Sequence, residues 1–152
     1  MMKTKTKSAG KSVEILMVED NRGDVRLMRE VLKDSKYPIH LSVVSDGIEA
    51  VSFLHRKRGY SHVPKPDLIL MDLNLPRKSG LAVLEHIKQD SSLKNIPVLV
   101  LTSSHDDLDM VAAYHSHANF YIVKPMDLDH FAVVMKYIDD FWIRTMEFHA
   151  AS

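Results

Sequence analysis

Asp67-Leu68-Ile69-Leu70-Met71-Asp72-Leu73-Asn74-Leu75-Pro76 is the stretch from which the rest of the chain can be read. Leu68 to Met71 and then Leu73 enclose a single carboxylate, Asp72. An apolar run this short, stopped by Pro76 and the polar Arg77-Lys78-Ser79-Gly80, predicts a strand buried on both faces. An unpaired ion inside such a strand is costly, because it gives up its hydration without compensation. Asp72 is therefore expected where the strand ends and a cavity opens, beside a cation, a donor or a proton. An Asp that only caps the next turn is the alternative, and the flanking segments decide between the two.

Upstream, Val13-Glu14-Ile15-Leu16-Met17-Val18 predicts a first buried strand that stops at the acid pair Glu19-Asp20. Asp24 can cap a helix striped by Val25, Met28, Val31 and Leu32, at steps of three and four. Ile39 to Val44 forms a second strand of weaker pattern, and Asp46-Gly47 opens a helix carrying Ile48, Ala50, Val51, Phe53 and Leu54. The run Arg56-Lys57-Arg58-Gly59 ends that helix as a solvated segment. Downstream, Ser79-Gly80 opens a helix with Leu81, Leu84 and Ile87, closed by Ser91 to Asn95. Pro97 to Leu101 is a further all-apolar strand ending at Thr102. A fourth helix follows from Leu108 to about His115, then a strand Phe120 to Val123, Lys124-Pro125, and a last helix from about Asp127.

Strand and helix alternate five times, which predicts an α/β fold: a doubly wound parallel sheet of five strands covered by helices on both faces. In such sheets ligands bind beyond the carboxyl ends of the strands, where the strand order reverses. Glu19, Asp20, Asp72, Thr102 and Lys124 all fall at that edge. Three acids brought together need a proton or a divalent cation to relieve their repulsion. Oxygen ligands from Asp20, Asp72 and the Asn74 carbonyl, with Glu19 through water, suit Mg²⁺. Asp72 flanked by Mg²⁺ and Lys124 is then an oxygen nucleophile placed for phosphoryl transfer, with Thr102 donating to a phosphoryl oxygen.

Composition limits the alternatives. With 152 residues, 45% of them hydrophobic, the chain can build one sizeable core. Twenty basic residues balance twenty acidic ones, which argues against nucleic acid as a main partner; Lys3, Lys5, Lys7 and Lys11 read as a solvated tail. No run is long enough to span a bilayer, so no membrane partner is expected. The absence of cysteine suits a reducing, cytoplasmic setting. His115-x-His117 reads as helix-end chemistry rather than as a metal site.

Taken together, Val18-Glu19-Asp20, Met71 to Pro76, Ser79-Gly80, Leu101-Thr102-Ser103 and Tyr121-Ile122-Val123-Lys124-Pro125 resemble the receiver domain of two-component response regulators. The resemblance implies a flavodoxin-like fold with strand order 2-1-3-4-5. It implies a tail over 1–12, a receiver domain over 13–141 and a C-terminal extension over 142–152. It also implies that Asp72 takes phosphate from a sensor histidine kinase, with Mg²⁺ held by Glu19, Asp20, Asp72 and Asn74. Thr102 and Tyr121 would switch together, Lys124 would contact the phosphoryl group, and Lys124-Pro125 would be a cis peptide.

The ends of the chain are similar to those of small regulators that partner cyanobacterial phytochrome kinases and pair as homodimers. Tyr121, Phe141, Trp142 and Phe148 are the residues expected at such a dimer contact. Two other readings compete. An aspartyl-nucleophile phosphohydrolase on a similar fold commonly has a second acid two residues after the nucleophile, where this chain has Asn74. A flavodoxin-type phosphate site needs donors after the first strand, where Glu19-Asp20-Asn21 would repel phosphate.

Overall fold

The computed structural model describes residues 12–102 and 120–123, together with 129, 132, 133, 135–137, 139 and 140. Five parallel strands form one sheet: β1 (Val13–Val18), β2 (Ile39–Val44), β3 (Leu68–Asp72), β4 (Val98–Thr102) and β5 (Phe120–Val123). Their order across the sheet is β2-β1-β3-β4-β5. Among the described residues, three helices carry the chain back between strands: α1 (Arg22–Leu32), α2 (Gly47–Leu54) and α3 (Gly80–Gln89). Residues 132, 133, 135–137, 139 and 140 are also helical. The expected helix over 108–115, the Lys124-Pro125 peptide and the segments 1–11 and 141–152 lie outside the described residues.

Alternation along the strands sorts the core into two layers. Leu16, Val18, Ile69, Met71, Val98 and Val100 pack with Ala50 and Phe53 of α2 and with Val83, Leu84 and Ile87 of α3. Val13, Ile15, Met17, Leu68, Leu70, Leu99 and Leu101 pack on the other face with Met28 and Leu32 of α1. Met135 and Tyr137 add partly buried surface to that second layer. Both faces of β1, β3 and β4 are therefore covered, which is why these strands read as unbroken apolar runs. β2 lies at the edge, with His40 exposed and bonded to Glu14 at 2.7 Å, and its alternation is correspondingly weaker.

Two local expectations change. The cap of α1 is Asn21, whose side chain accepts the Asp24 amide at 3.0 Å; Asp24 sits inside the first turn. There its carboxylate still faces the positive end of the helix. α3 ends at Gln89, earlier than the Ser91–Asn95 segment expected to close it. Asp90 caps it, and its carbonyl accepts from Leu93 and Lys94, so that Leu93 and Ile96 turn back into the core.

Candidate functional site

The register brings the acids to one edge. Val18 pairs with Met71, so Glu19 stands level with Asp72, the last residue of the central strand. Asp72 is opposite Leu101, one residue before Thr102, and Thr102 is opposite Val123, one residue before Lys124. Ligand oxygens of Glu19, Asp20 and Asp72 all lie within 4.8 Å of one another. Glu19 and Asp72 are buried, at 2% and 5% exposure, while Asp20 is exposed. Two buried carboxylates and a third at their rim form a donor set of oxygens alone, which fits Mg²⁺ or Mn²⁺ better than softer cations.

Backbone amides orient the two buried acids. The Asn74 amide donates to Asp72 Oδ1 at 3.0 Å, and the Asn21 amide donates to Glu19 Oε2 at 3.3 Å. The side chains of Thr102 and Tyr121 lie outside the described residues, as does Lys124; Thr102 ends β4, and Tyr121 lies within β5 opposite Val100. Phe141, Trp142 and Phe148, the other expected dimer residues, are also outside them.

The loop after Asp72 is held at several points that sequence reasoning missed. Arg77, whose φ of 69° lies in the left-handed region, reaches Asp46 Oδ2 with Nη1 at 3.3 Å. Asp46 is buried and also caps α2, Oδ1 accepting the Glu49 amide at 2.8 Å. A Cβ on Gly47 would overlap the Lys78 carbonyl, and a Cβ on Gly80 would overlap the carbonyl oxygen of Asp72. Asp46-Gly47 and Ser79-Gly80 are each a polar cap followed by glycine. That repeated pair was the available signal for two helix starts pressed against one loop.

A second cluster was not anticipated. His55 Nε2 and His86 Nε2 stand 2.8 Å apart, and Asp90 Oδ2 is 3.7 Å from His55 Nε2. Burial and the neighbouring His55 and Lys78 lower the His86 pKa, against a smaller opposing pull from Asp90. His86 and Asp90 are four residues apart on one helix end, but nothing in the local pattern links them to His55, which only the packing of α2 on α3 brings near. The Arg56–Arg58 run is exposed, as expected, with Arg56 and Arg58 in left-handed conformations.

Comparison with known proteins agrees with this geometry. The sequence model of the response regulator receiver domain family matches residues 15–136. The response regulator Rcp1 of Synechocystis sp. is 44% identical over 137 residues, covering 90% of this chain and 93% of Rcp1. Among solved structures, the phosphorylated cyanobacterial phytochrome response regulator RcpA superposes with a TM-score of 0.77 at 42% identity, covering 89% of this chain and 96% of RcpA. The Mn²⁺-bound form of Rcp1 gives 0.74 at 46% identity, covering 85% and 93%. The phosphohydrolase alternative finds no support in these relatives, in line with Asn74 where a second acid would stand. With the acid-bearing edge, the strand order and the family match in agreement, this chain belongs to the response regulator receiver domain family of two-component signalling.

Proposed function

We propose that the protein is a cytoplasmic response regulator that accepts a phosphoryl group on Asp72 from a sensor histidine kinase of the phytochrome type. The observation that carries this reading is the meeting of Glu19, Asp20 and Asp72 within 4.8 Å at the end of the central strand. An Asp72 oxygen attacks phosphorus, the phosphorus–nitrogen bond of the donor phosphohistidine breaks, and the released imidazole takes a proton. The protein's part is that of acceptor, assisting its own phosphorylation and dephosphorylation. Glu19, Asp20, Asp72 and the Asn74 carbonyl would hold Mg²⁺, which supplies charge neutralisation for the phosphoryl oxygens. Thr102 and Lys124 complete the pocket and Tyr121 switches with Thr102. These roles rest on matching family positions and on strand ends that face the same edge. The phytochrome link is supported by likeness to Rcp1 and RcpA.

Incubation with Mg²⁺ and acetyl phosphate tests the acceptor. One base-labile phosphoryl group is expected on the wild type and none on Asp72→Asn, and chelation should stop the reaction. Full labelling of Asp72→Asn would place the acceptor elsewhere. The sequence from 141 to 148 carries Phe141, Trp142, Ile143, Met146 and Phe148. Fully burying such side chains is worth about 1.5–3 kcal/mol each, enough for several in one symmetric contact to offset much of the cost of association. The proposal therefore includes a homodimer through Tyr121, Phe141, Trp142 and Phe148, rearranged by phosphorylation. Light scattering on the full chain and on a version ending at Asp140 checks it, with monomers in both cases as the contrary result.

A further inference from the structure

The carboxyl ends of α2 and α3 meet away from the acid pocket. His55 is the C-cap of α2, His86 lies in the last turn of α3, and Asp90 is the C-cap of α3. Helices that return between parallel strands end at the opposite edge of the sheet from the strand ends that carry Asp72. The carboxyl ends of the two helices bring the negative poles of their dipoles to this region, against the basic run Arg56-Lys57-Arg58 that follows α2.

We infer that His55, His86 and Asp90 form a second metal site, suited to Zn²⁺ rather than Mg²⁺. The ring centroids of His55 and His86 are 5.1 Å apart with planes at 88°, and the two Nε2 atoms stand 2.8 Å apart between them. Both nitrogens cannot carry protons at that separation, so at least one presents its lone pair to the other. All three ligand atoms fall within 4.8 Å of one another. Zinc bonds of about 2.0–2.2 Å at tetrahedral angles put ligand atoms about 3.3–3.5 Å apart. The imidazoles need to part slightly and the Asp90 carboxylate to close slightly, movements within reach of partly exposed side chains.

The surroundings support the assignment. Ser92 donates both its amide and its hydroxyl to Asp90 Oδ1, which fixes that carboxylate with Oδ2 toward His55. Outer hydrogen bonds of this kind hold ligands in a metal-ready orientation. A cavity of about 260 Å³, lined by His55, Ser52, Lys57, Arg58 and Lys78 among others, opens beside His55. Lys57, Arg58 and Lys78 oppose a cation there, and the helix dipoles and the Asp90 carboxylate act against them. Two imidazoles and one carboxylate make a borderline donor set that prefers zinc, whereas the oxygen-only pocket around Asp72 does not.

The test is competition between the chelator-stripped full chain and a chromogenic zinc indicator, in excess Mg²⁺ so that the acid pocket stays occupied. One Zn²⁺ is expected per wild-type chain, held at least about tenfold more weakly by His55→Gln and by His86→Gln. His115→Gln with His117→Gln should leave that Zn²⁺ in place. Zn²⁺ should also raise the Tm of the wild type and leave the His55 and His86 variants unmoved. Ring nitrogen resonances give a readout that needs no variant, with His55 and His86 shifting stoichiometrically with added Zn²⁺. No competition by the wild type, unchanged affinity in both variants, or shifts confined to other histidines would overturn the site.

Discussion

Gly80 lies against the backbone of Asp72 so closely that a Cβ there would overlap the Asp72 carbonyl oxygen and stand 2.6 Å from Leu73 Cα. The contact joins the start of α3 to the residue proposed to receive phosphate, and the Gly80 amide donates to the Leu73 carbonyl at 3.1 Å. Gly80→Ala should cost about 1–3 kcal/mol, the usual range for forcing extra atoms into a packed site. Acetyl phosphate labelling of the folded fraction should also slow, since Asp72 must shift to make room. Urea denaturation and a labelling time course measure the two effects, and wild-type values in both would mean that the loop moves aside freely.

Asp46 and Arg77 offer a contrast in magnitude. The ion pair at 3.3 Å has a half-exposed guanidinium and should contribute about 0–1 kcal/mol. The cap that Asp46 gives to Glu49 should contribute about 0.5–2 kcal/mol. Asp46→Ala is therefore expected to destabilise more than Arg77→Ala, and the difference should survive high salt. Equal losses in the two variants would assign the main role to the ion pair.

At the acid pocket, Asp20 is the exposed member beside two buried carboxylates. Asp20→Asn removes one ligand charge and should weaken Mg²⁺ by about tenfold or more, since ligand charge sets affinity for such ions. The same change relieves repulsion among the three acids, so the metal-free protein should melt at a higher temperature. Calorimetric Mg²⁺ titration and thermal melts in chelator check both signs, and a lower melting temperature would show that Asp20 has a stabilising role besides metal binding.

His86 has its pKa lowered from the ordinary 6.5, chiefly by burial. Its folded form resists a proton that the unfolded chain accepts. The stability this gives is fully present above about pH 6.5. It is lost as the pH falls through that value toward the lower folded pKa. Metal-free wild type should therefore melt progressively earlier between about pH 7.5 and pH 5, the range in which histidine titrates. His86→Gln should show a flatter profile, and parallel profiles would locate the acid sensitivity at other histidines.

Where the sequence was legible, the reason is local. The bounds expected for β1, β2 and β5 are those observed, because each segment is flanked by polar or turn-forming residues, although β2 itself carries His40 and Ser42 between its apolar residues. The meeting of Glu19, Asp20 and Asp72 was legible because parallel strands align their carboxyl ends. The cap of α1 was not, since Asn21 and Asp24 are both good capping residues and only the folded backbone shows which one accepts an amide. His55 and His86 carried no periodic or spacing signal, and the nearness of their rings exists only once α2 packs on α3.

Among the described residues, β1, β3 and β4 are each bonded to a strand on either side, whereas β2 and β5 have one bonded neighbour apiece. In hydrogen-exchange terms, amides of Leu70 and Met71 should be among the last to trade deuterium, requiring near-global opening, while those of β2 should exchange earlier through local fraying. The proposed acceptor thus terminates one of the three strands bonded on both sides. A phosphoryl group attached there would enter a frame that stays closed between unfolding events, and its lifetime would be set by the loops above it.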